Sequence, residues 1–207
     1  MTKAFALLGA AAVALASSTA TTPSSRGSEQ VRQIRRLSFE FVGQFENSSP
    51  GVTPPTHIHY GYLSYVRGVS VFTAAEQNEK SALFTFYADA ATPRVIPNGP
   101  LRIVTRIGRL TIYRDQSTNG DFARSASFRD GTPVLVARFR QQVVTDTVTG
   151  SLTTFHQNTI VSTRPFSAGG RRVQLGRVGQ TFQSAFGGHV TMPGPPSGYI
   201  GGYGVST

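Results

Sequence analysis

The sequence predicts an all-β protein that folds as a single antiparallel β-barrel. Short blocks rich in β-branched and aromatic residues, roughly ten in all, recur between turns rich in Gly and Pro. Within these blocks apolar and polar residues alternate, and helical periodicity is almost absent. A β-sandwich or jelly roll is the alternative. We favour the barrel because the long predicted hairpins keep some polar residues on their inward face, as a barrel with a cavity would.

The N-terminus predicts export. A short basic start precedes an apolar run, Ala4 to Ala16, which is shorter than the about 20 residues that cross a bilayer. Ser18 and Ala20 fit the small residues of a signal-peptidase site. We therefore expect a protein that is secreted or extracytoplasmic and not transmembrane once the signal is removed. The expected organisation is a signal peptide at 1–20, a disordered lead-in at 21–30, the β-barrel domain at 31–186 and a Gly/Pro/Tyr-rich tail at 187–207.

Composition narrows the chemistry. The chain has no Cys, which excludes disulfides, a thiol nucleophile and every Cys-ligated metal site. Its formal net charge is +10, carried mainly by arginine, and arginine suits contacts with carboxylate, sulfate or phosphate. An anionic polymer is therefore a candidate partner, through Arg138, Arg140, Arg171 and Arg172. No specific binding of nucleic acid is expected because the arginines do not form one run, and scattered arginines on solvated strand faces are the alternative.

The first half of the domain contains two predicted strands and one predicted helix. Residues 37–45 alternate cleanly, with Leu37, Phe39 and Phe41 on one face and Glu40 on the other. A segment with three prolines interrupts regular structure at 47–55, and a second strand follows at 56–66. Residues 73–76 have the Ser/Thr-x-x-Glu pattern of a capping box, which predicts one or two helical turns over 74–80. A polar loop is the alternative, because the segment is short.

The second half predicts strands throughout. We expect strands at 82–89, 94–96 and 101–114, the last running through Gly108, with a turn at 97–100. Residues 132–147 and 151–163 predict a long hairpin, in which Leu135, Ala137 and Phe139 are buried while Arg138 and Arg140 face water. Strands at 172–178 and 181–186 are expected to form a final pair. The tail is either flexible or adhesive, or supplies a last edge strand.

His57 and His59 are candidate metal ligands. Residues two apart on a strand point to the same side, so both imidazoles could bind one divalent metal. With Gly51 the spacing is Gly-x5-His-x-His, which resembles the opening of the first cupin motif. The cupin family implies a metal-binding jelly roll, but the carboxylate expected after the second His is missing. His156 and His189 are further candidate partners, and histidines on the surface or satisfied in the core are the alternative.

Residues 115–121 resemble the first half of an EF-hand calcium loop. Oxygen-bearing side chains stand at its alternate positions, with Gly at the sixth, and the candidate ligands are Asp115, Ser117, Asn119 and Asp121. The twelfth position, normally Glu, is Ala126. The alternative is a hairpin turn centred on Asn119-Gly120.

A further resemblance lies in the aromatic strand Leu83–Asp89 and the turn Asn98–Leu101. Together they resemble the barrel that allene oxide cyclases and dirigent proteins share, a calycin-like architecture. The resemblance implies an eight-stranded barrel whose apolar cavity steers cyclisation or coupling of a lipid-like or phenolic ligand. No functional residue of that family can be matched here.

These observations predict a non-enzymatic or weakly catalytic barrel that binds an apolar or aromatic small molecule in its interior. The residues expected to form the core or to line the cavity are Phe39, Phe41, Phe84, Phe86, Leu135 and Phe139. One alternative is a cyclase or isomerase of the barrel or cupin kind that uses His57 and His59. Another is a surface-associated protein that binds anionic polymers. No cofactor is expected beyond a divalent metal, because neither a Gly-x-Ser-x-Gly elbow nor a phosphate-binding loop occurs.

Overall fold

The structure confirms the predicted fold class. The computed structural model describes residues 30–48, 56–191 and 197–206, so the predicted signal peptide and nearly all of the lead-in lie outside the described residues. Eight strands form one closed antiparallel barrel, and three short strands form a separate small sheet. The strands are β1 (Arg32–Ile34), β2 (Ser38–Asn47), β3 (Thr56–Val66), β4 (Phe84–Asn98), β5 (Leu101–Arg114), β6 (Thr132–Asp146), β7 (Ser151–Thr163), β8 (Phe166–Ala168), β9 (Arg171–Leu175), β10 (Thr181–Thr191) and β11 (Ser197–Val205).

The barrel closes in the order β10-β11-β2-β3-β4-β5-β6-β7, with β7 returning to β10. Most neighbouring strands are consecutive in the chain and are joined by turns. At the β4–β5 turn, Asn98 pairs with Leu101 and Gly99 has φ +58°, as the predicted turn requires. The small sheet has the order β1-β9-β8, with β1 parallel to β9. Within the described ranges we find no helix with the length and apolarity needed to cross a membrane.

Phenylalanine side chains fill much of the barrel interior. Alternation along β2 turns Phe39, Phe41 and Phe45 inward and leaves Glu40 exposed. The Phe41 ring contacts the Phe86 ring edge to face, with their centroids 5.2 Å apart. All six residues predicted as core or cavity lining belong to the buried core: Phe39, Phe41, Phe84, Phe86, Leu135 and Phe139. Aromatic packing therefore fills the interior where these rings meet.

The predicted helix over 74–80 is wrong. Bends and turns replace it, and the helical element of the described chain is one 3₁₀ turn, Ser125–Phe128. The Thr73 hydroxyl donates to the Ser81 carbonyl oxygen at 3.2 Å instead of capping a helix. Glu76 accepts a hydrogen bond from the Asn78 side chain at 2.8 Å. These side-chain bonds close a polar loop, which was the alternative for this short segment.

The prediction that the last two strands pair with each other is also wrong. β9 pairs with β1 and β8, whereas β10 pairs with β7 and β11. β10 continues to Thr191, and β11 pairs with both β10 and β2, so this part of the 187–207 segment is an interior strand of the barrel and not an edge. The blocks predicted at 82–89 and 94–96 form the single strand β4, whose register shifts between Ala91 and Arg94.

Candidate functional site

One end of the barrel holds a cavity of about 910 Å³. We call it the mouth cavity; it lies among the end of β2, the start of β3, the β4–β5 and β6–β7 turns and the end of β10. The inward side chains here are shorter than the Phe rings of the core, for example Val104, Val143 and Thr154. A closed barrel whose interior is not filled by large side chains keeps a space for a ligand. The six residues predicted as core or lining are not among those that surround this cavity.

The mouth cavity has an apolar wall formed by five buried side chains. These are Phe45, Val104, Val143, Leu152 and Ile200. They come from five different strands, because alternation places each of them on the inner face. Such a wall suits the hydrocarbon part of a small molecule.

The cavity also has a polar floor, which consists of Asn47, His57, His59 and Arg106. Arg106 donates from Nη2 to Asn47 Oδ1 at 3.1 Å and from Nε to Thr92 Oγ1 at 3.3 Å. His57 Nδ1 also lies within hydrogen-bond reach of Asn47 Oδ1. His57 Nε2 and His59 Nε2 are 2.5 Å apart. The floor is therefore a continuous chain of hydrogen bonds from the guanidinium to His59.

This chain assigns the histidine tautomers. The Asn47 amide oxygen can only accept, so it takes hydrogen bonds from Arg106 and from the Nδ1–H of His57. Neutral His57 then has its lone pair on Nε2, which accepts from the Nε2–H of His59. His59 is left with a lone pair on Nδ1.

The imidazoles of the site are uncharged at neutral pH. Burial lowers the pKa of His57 and of His59 well below the usual value, and the positive charges nearby, Arg106 among them, act in the same direction. Burial, followed by the charge of Arg106, lowers the pKa of His156 to about 3. The His59 and His156 rings stack with their centroids 5.8 Å apart. Arg106 is thus the buried group that carries charge among these side chains.

A belt of polar residues crosses the inner face next to the floor. Arg106 pairs in register with Gln141, Gln141 with His156, and His156 with Ser184, on the successive strands β5, β6, β7 and β10. Gln141 is fully buried. Within the described part of the chain, its amide nitrogen and oxygen and the Nδ1 of His156 have no hydrogen-bond partner. Buried polar atoms without partners are rare in proteins and mark places where a ligand or water is bound.

The sequence prediction found part of this site. It placed His57 and His59 on one side of β3, and the structure brings them together with His156. It did not single out Arg106 or Gln141, although a signal was present. Both follow the apolar alternation of their strands, since Arg106 lies two residues from Val104 and Gln141 two residues from Phe139.

Metal binding at His57 and His59 stays a prediction. Among the described residues, no group of three or more His, Cys, Asp or Glu side chains could hold a metal ion. The cupin-like Gly51 lies outside the described residues. The positive charge of Arg106 next to the imidazoles opposes a bound cation.

The calcium-loop residues are engaged in other bonds. Asp115 Oδ1 accepts from the backbone and hydroxyl of Ser117 at 2.9 and 2.5 Å. Asn119 donates to Asp130 at 2.9 Å, and Asp121 forms an ion pair with Arg124 at 3.0 Å. The alternative of a hairpin turn at Asn119-Gly120 is wrong, because residues 115–131 form a longer loop that includes the 3₁₀ turn. Calcium binding remains a prediction.

The four arginines predicted to bind anionic polymers lie in two places. Arg138 and Arg140 are exposed on the outer face of β6. Arg171 and Arg172 belong to β9 in the small sheet. Polyanion binding through these residues stays a prediction.

A comparison with protein families, curated proteins and solved structures finds no match to this chain. Functional inference therefore depends on the chemistry of the mouth cavity.

Proposed function

We propose that the protein binds a small organic molecule in the mouth cavity. The observation that supports this most strongly is a cavity of about 910 Å³ that combines an apolar wall with a buried polar floor. Sites for small molecules have this composition and typically span about 300–1,000 Å³. The wall removes the apolar part of a ligand from water, and the floor orients its polar end. This places the predicted ligand at one end of the barrel, away from the phenylalanine core.

A neutral dye tests this proposal. Nile red fluoresces more strongly in apolar surroundings, so we expect enhanced fluorescence with the purified protein and loss of enhancement when the cavity is filled. Val143→Trp places a large ring in the cavity, because Val143 is buried in its wall. Val144→Trp is the matched control, since the neighbouring side chain points to the outer face. Circular dichroism establishes that both variants keep the strand spectrum.

The outcomes separate cleanly. Enhancement by the wild type and by Val144→Trp, with none by Val143→Trp, supports binding in the mouth cavity. Equal enhancement by all three proteins shows that the dye binds elsewhere and contradicts the proposal. Native mass spectrometry of the freshly purified protein provides a second readout, in which a retained small molecule adds a discrete mass.

A further inference from the structure

Arg106 is a buried cation whose neighbours do not neutralise it. Its side chain is 9% exposed, and its recorded acceptors are the neutral oxygens of Thr92 and Asn47. Across the described ranges, no carboxylate lies within 4.0 Å of its guanidinium. A guanidinium has five N–H donors, and a buried charge without a counter-charge is costly. This arrangement favours the binding of an anion.

The sequence leaves few acids that could neutralise Arg106. The connections 49–55 and 192–196, which join β2 to β3 and β10 to β11, contain neither Asp nor Glu. Asp146 does line the mouth cavity, but its Oδ1 accepts from the backbone nitrogens of Val148 and Thr149 at 2.8 and 3.2 Å. That carboxylate is held by its own turn. The negative charge that Arg106 lacks is therefore best supplied by a ligand.

The charges around the floor select the sign and size of the ligand's charge. Arg106 is adjacent to three imidazoles that burial and Arg106 itself keep neutral, so the floor has one positive charge at neutral pH. Burial, followed by the charge of Arg102, lowers the pKa of Arg106 to about 10, which leaves it protonated. A single buried positive charge matches a single negative charge. A metal cation would be repelled by the same field.

Gln141 adds a second polar contact for such an anion. It is the register partner of Arg106 on β6, and directly opposite residues of antiparallel strands have Cβ atoms about 5 Å apart. The amide N–H₂ of Gln141 has no acceptor within the described part of the chain. A carboxylate between these side chains would accept from both the guanidinium and the amide. Its planar pair of oxygens matches the guanidinium fork.

We infer that the ligand of the mouth cavity is a small organic acid. Its carboxylate pairs with Arg106 next to Gln141, and its hydrocarbon chain or ring lies against the apolar wall. The inference rests on the proposed function, since it names the class of molecule that the same cavity binds. It assigns Arg106 as the residue that determines specificity for an acid over a neutral analogue.

Displacement of Nile red by matched ligands tests this inference. The probes are dodecanoate with dodecanamide, and 3-phenylpropanoate with 3-phenylpropanamide, each used below its aggregation concentration. Members of a pair share their apolar part and differ in charge. We expect the acids to bind the wild type about tenfold more tightly than the amides, because hydrogen bonds to a charged group are stronger than neutral ones.

Arg106→Met is the decisive variant, because it keeps an apolar stem of similar length and removes the charge. We expect it to weaken the acids about tenfold and to leave the amides unchanged. Arg109→Met is the matched control, since it removes an exposed arginine from the same strand. Arg106→Lys keeps a positive charge, so it should retain part of the preference for acids even if Arg106→Met folds poorly.

Equal affinity of acids and amides for the wild type would overturn the inference. So would unchanged acid binding by Arg106→Met, or Nile red binding in the cavity that none of the four probes displaces. Failure of the proposed function has a different signature, because the dye would then show no enhancement that Val143→Trp removes.

Discussion

Gln141 is a residue whose cost to stability is visible in the fold. Its side chain is fully buried, and both amide atoms lack partners among the described residues. Replacing a buried, unsatisfied amide by an apolar side chain of similar size removes a desolvation penalty. We therefore expect Gln141→Leu to raise the free energy of unfolding by about 1–2 kcal/mol in the absence of ligand. Urea denaturation followed by circular dichroism measures this change.

The neighbouring residue provides the control. Gln142 is exposed, so Gln142→Leu should change stability by less than about 0.5 kcal/mol. A Gln141→Leu protein that is less stable than the wild type would mean that the amide makes favourable contacts in solution. Stabilisation together with weaker binding of acids would show that Gln141 is kept for the ligand at the expense of stability.

At the level of single residues, the site was only partly predictable from sequence. His57 and His59 could be found because residues two apart on one strand share a side, which is a local property. Arg106 and Gln141 meet only because β5 and β6 pair in one register, and His156 joins them through the next pairing. Register between strands depends on the whole sheet, so their meeting could not be inferred from any one segment.

Gly108 shows how a single glycine shapes a strand. It lies within β5 and pairs with Ala90 on one side and Phe139 on the other. A Cβ at this position would stand 2.8 Å from both Ala90 Cβ and Phe139 Cζ, and closer still to the Asp89 carbonyl oxygen. We expect Gly108→Ala to lower the free energy of unfolding by about 3 kcal/mol, because the strand must shift away from its neighbours.

Gly187 is the matched control, because a Cβ there meets no atom within 4 Å. Gly187→Ala should be neutral or stabilising by up to about 1 kcal/mol, since alanine reduces the freedom of the unfolded chain. Chemical denaturation of both variants measures the difference. Similar destabilisation by the two substitutions would show that backbone freedom, and not close approach, explains the glycine at 108.

Strands were predictable where alternation is local, and less so where pairing is distant. The long hairpin of β6 and β7 agrees with its prediction, because both strands are continuous and a short turn joins them. The pairing of β9 with β1 joins residues about 140 positions apart, as in Arg32 with Val173, and no local pattern indicates it. β11 is rich in Gly, so its part in closing the barrel has a weak strand signal.

For the whole molecule, closure of the barrel connects the site to global stability. β11 pairs with β10 and β2 and so leaves neither as an edge. The same closure buries His57, His59 and His156 inside the barrel. Because these imidazoles are enclosed by strands from across the chain, their protonation is coupled to unfolding of the entire barrel.

Stability should therefore fall in acid. The pKa of His57 and His59 in the folded state lies well below the usual value, and that of His156 is about 3. The unfolded chain, with histidine pKa values near about 6.5, binds more protons than the folded barrel below that pH. The contribution of neutral histidine is complete above about pH 6.5 and is lost as the pH falls. Each histidine contributes a slope of up to about 1.4 kcal/mol per pH unit.

His156→Phe isolates one part of this slope. His156 stacks on the Phe139 ring with their centroids 5.0 Å apart, so another aromatic ring suits the position. We expect urea denaturation between pH 7.5 and pH 5 to show a variant that loses less stability than the wild type, with a slope smaller by up to about 1.4 kcal/mol per pH unit. Identical slopes for the two proteins would mean that His156 is protonated in the folded barrel, so the imidazole cluster would add positive charge beside Arg106.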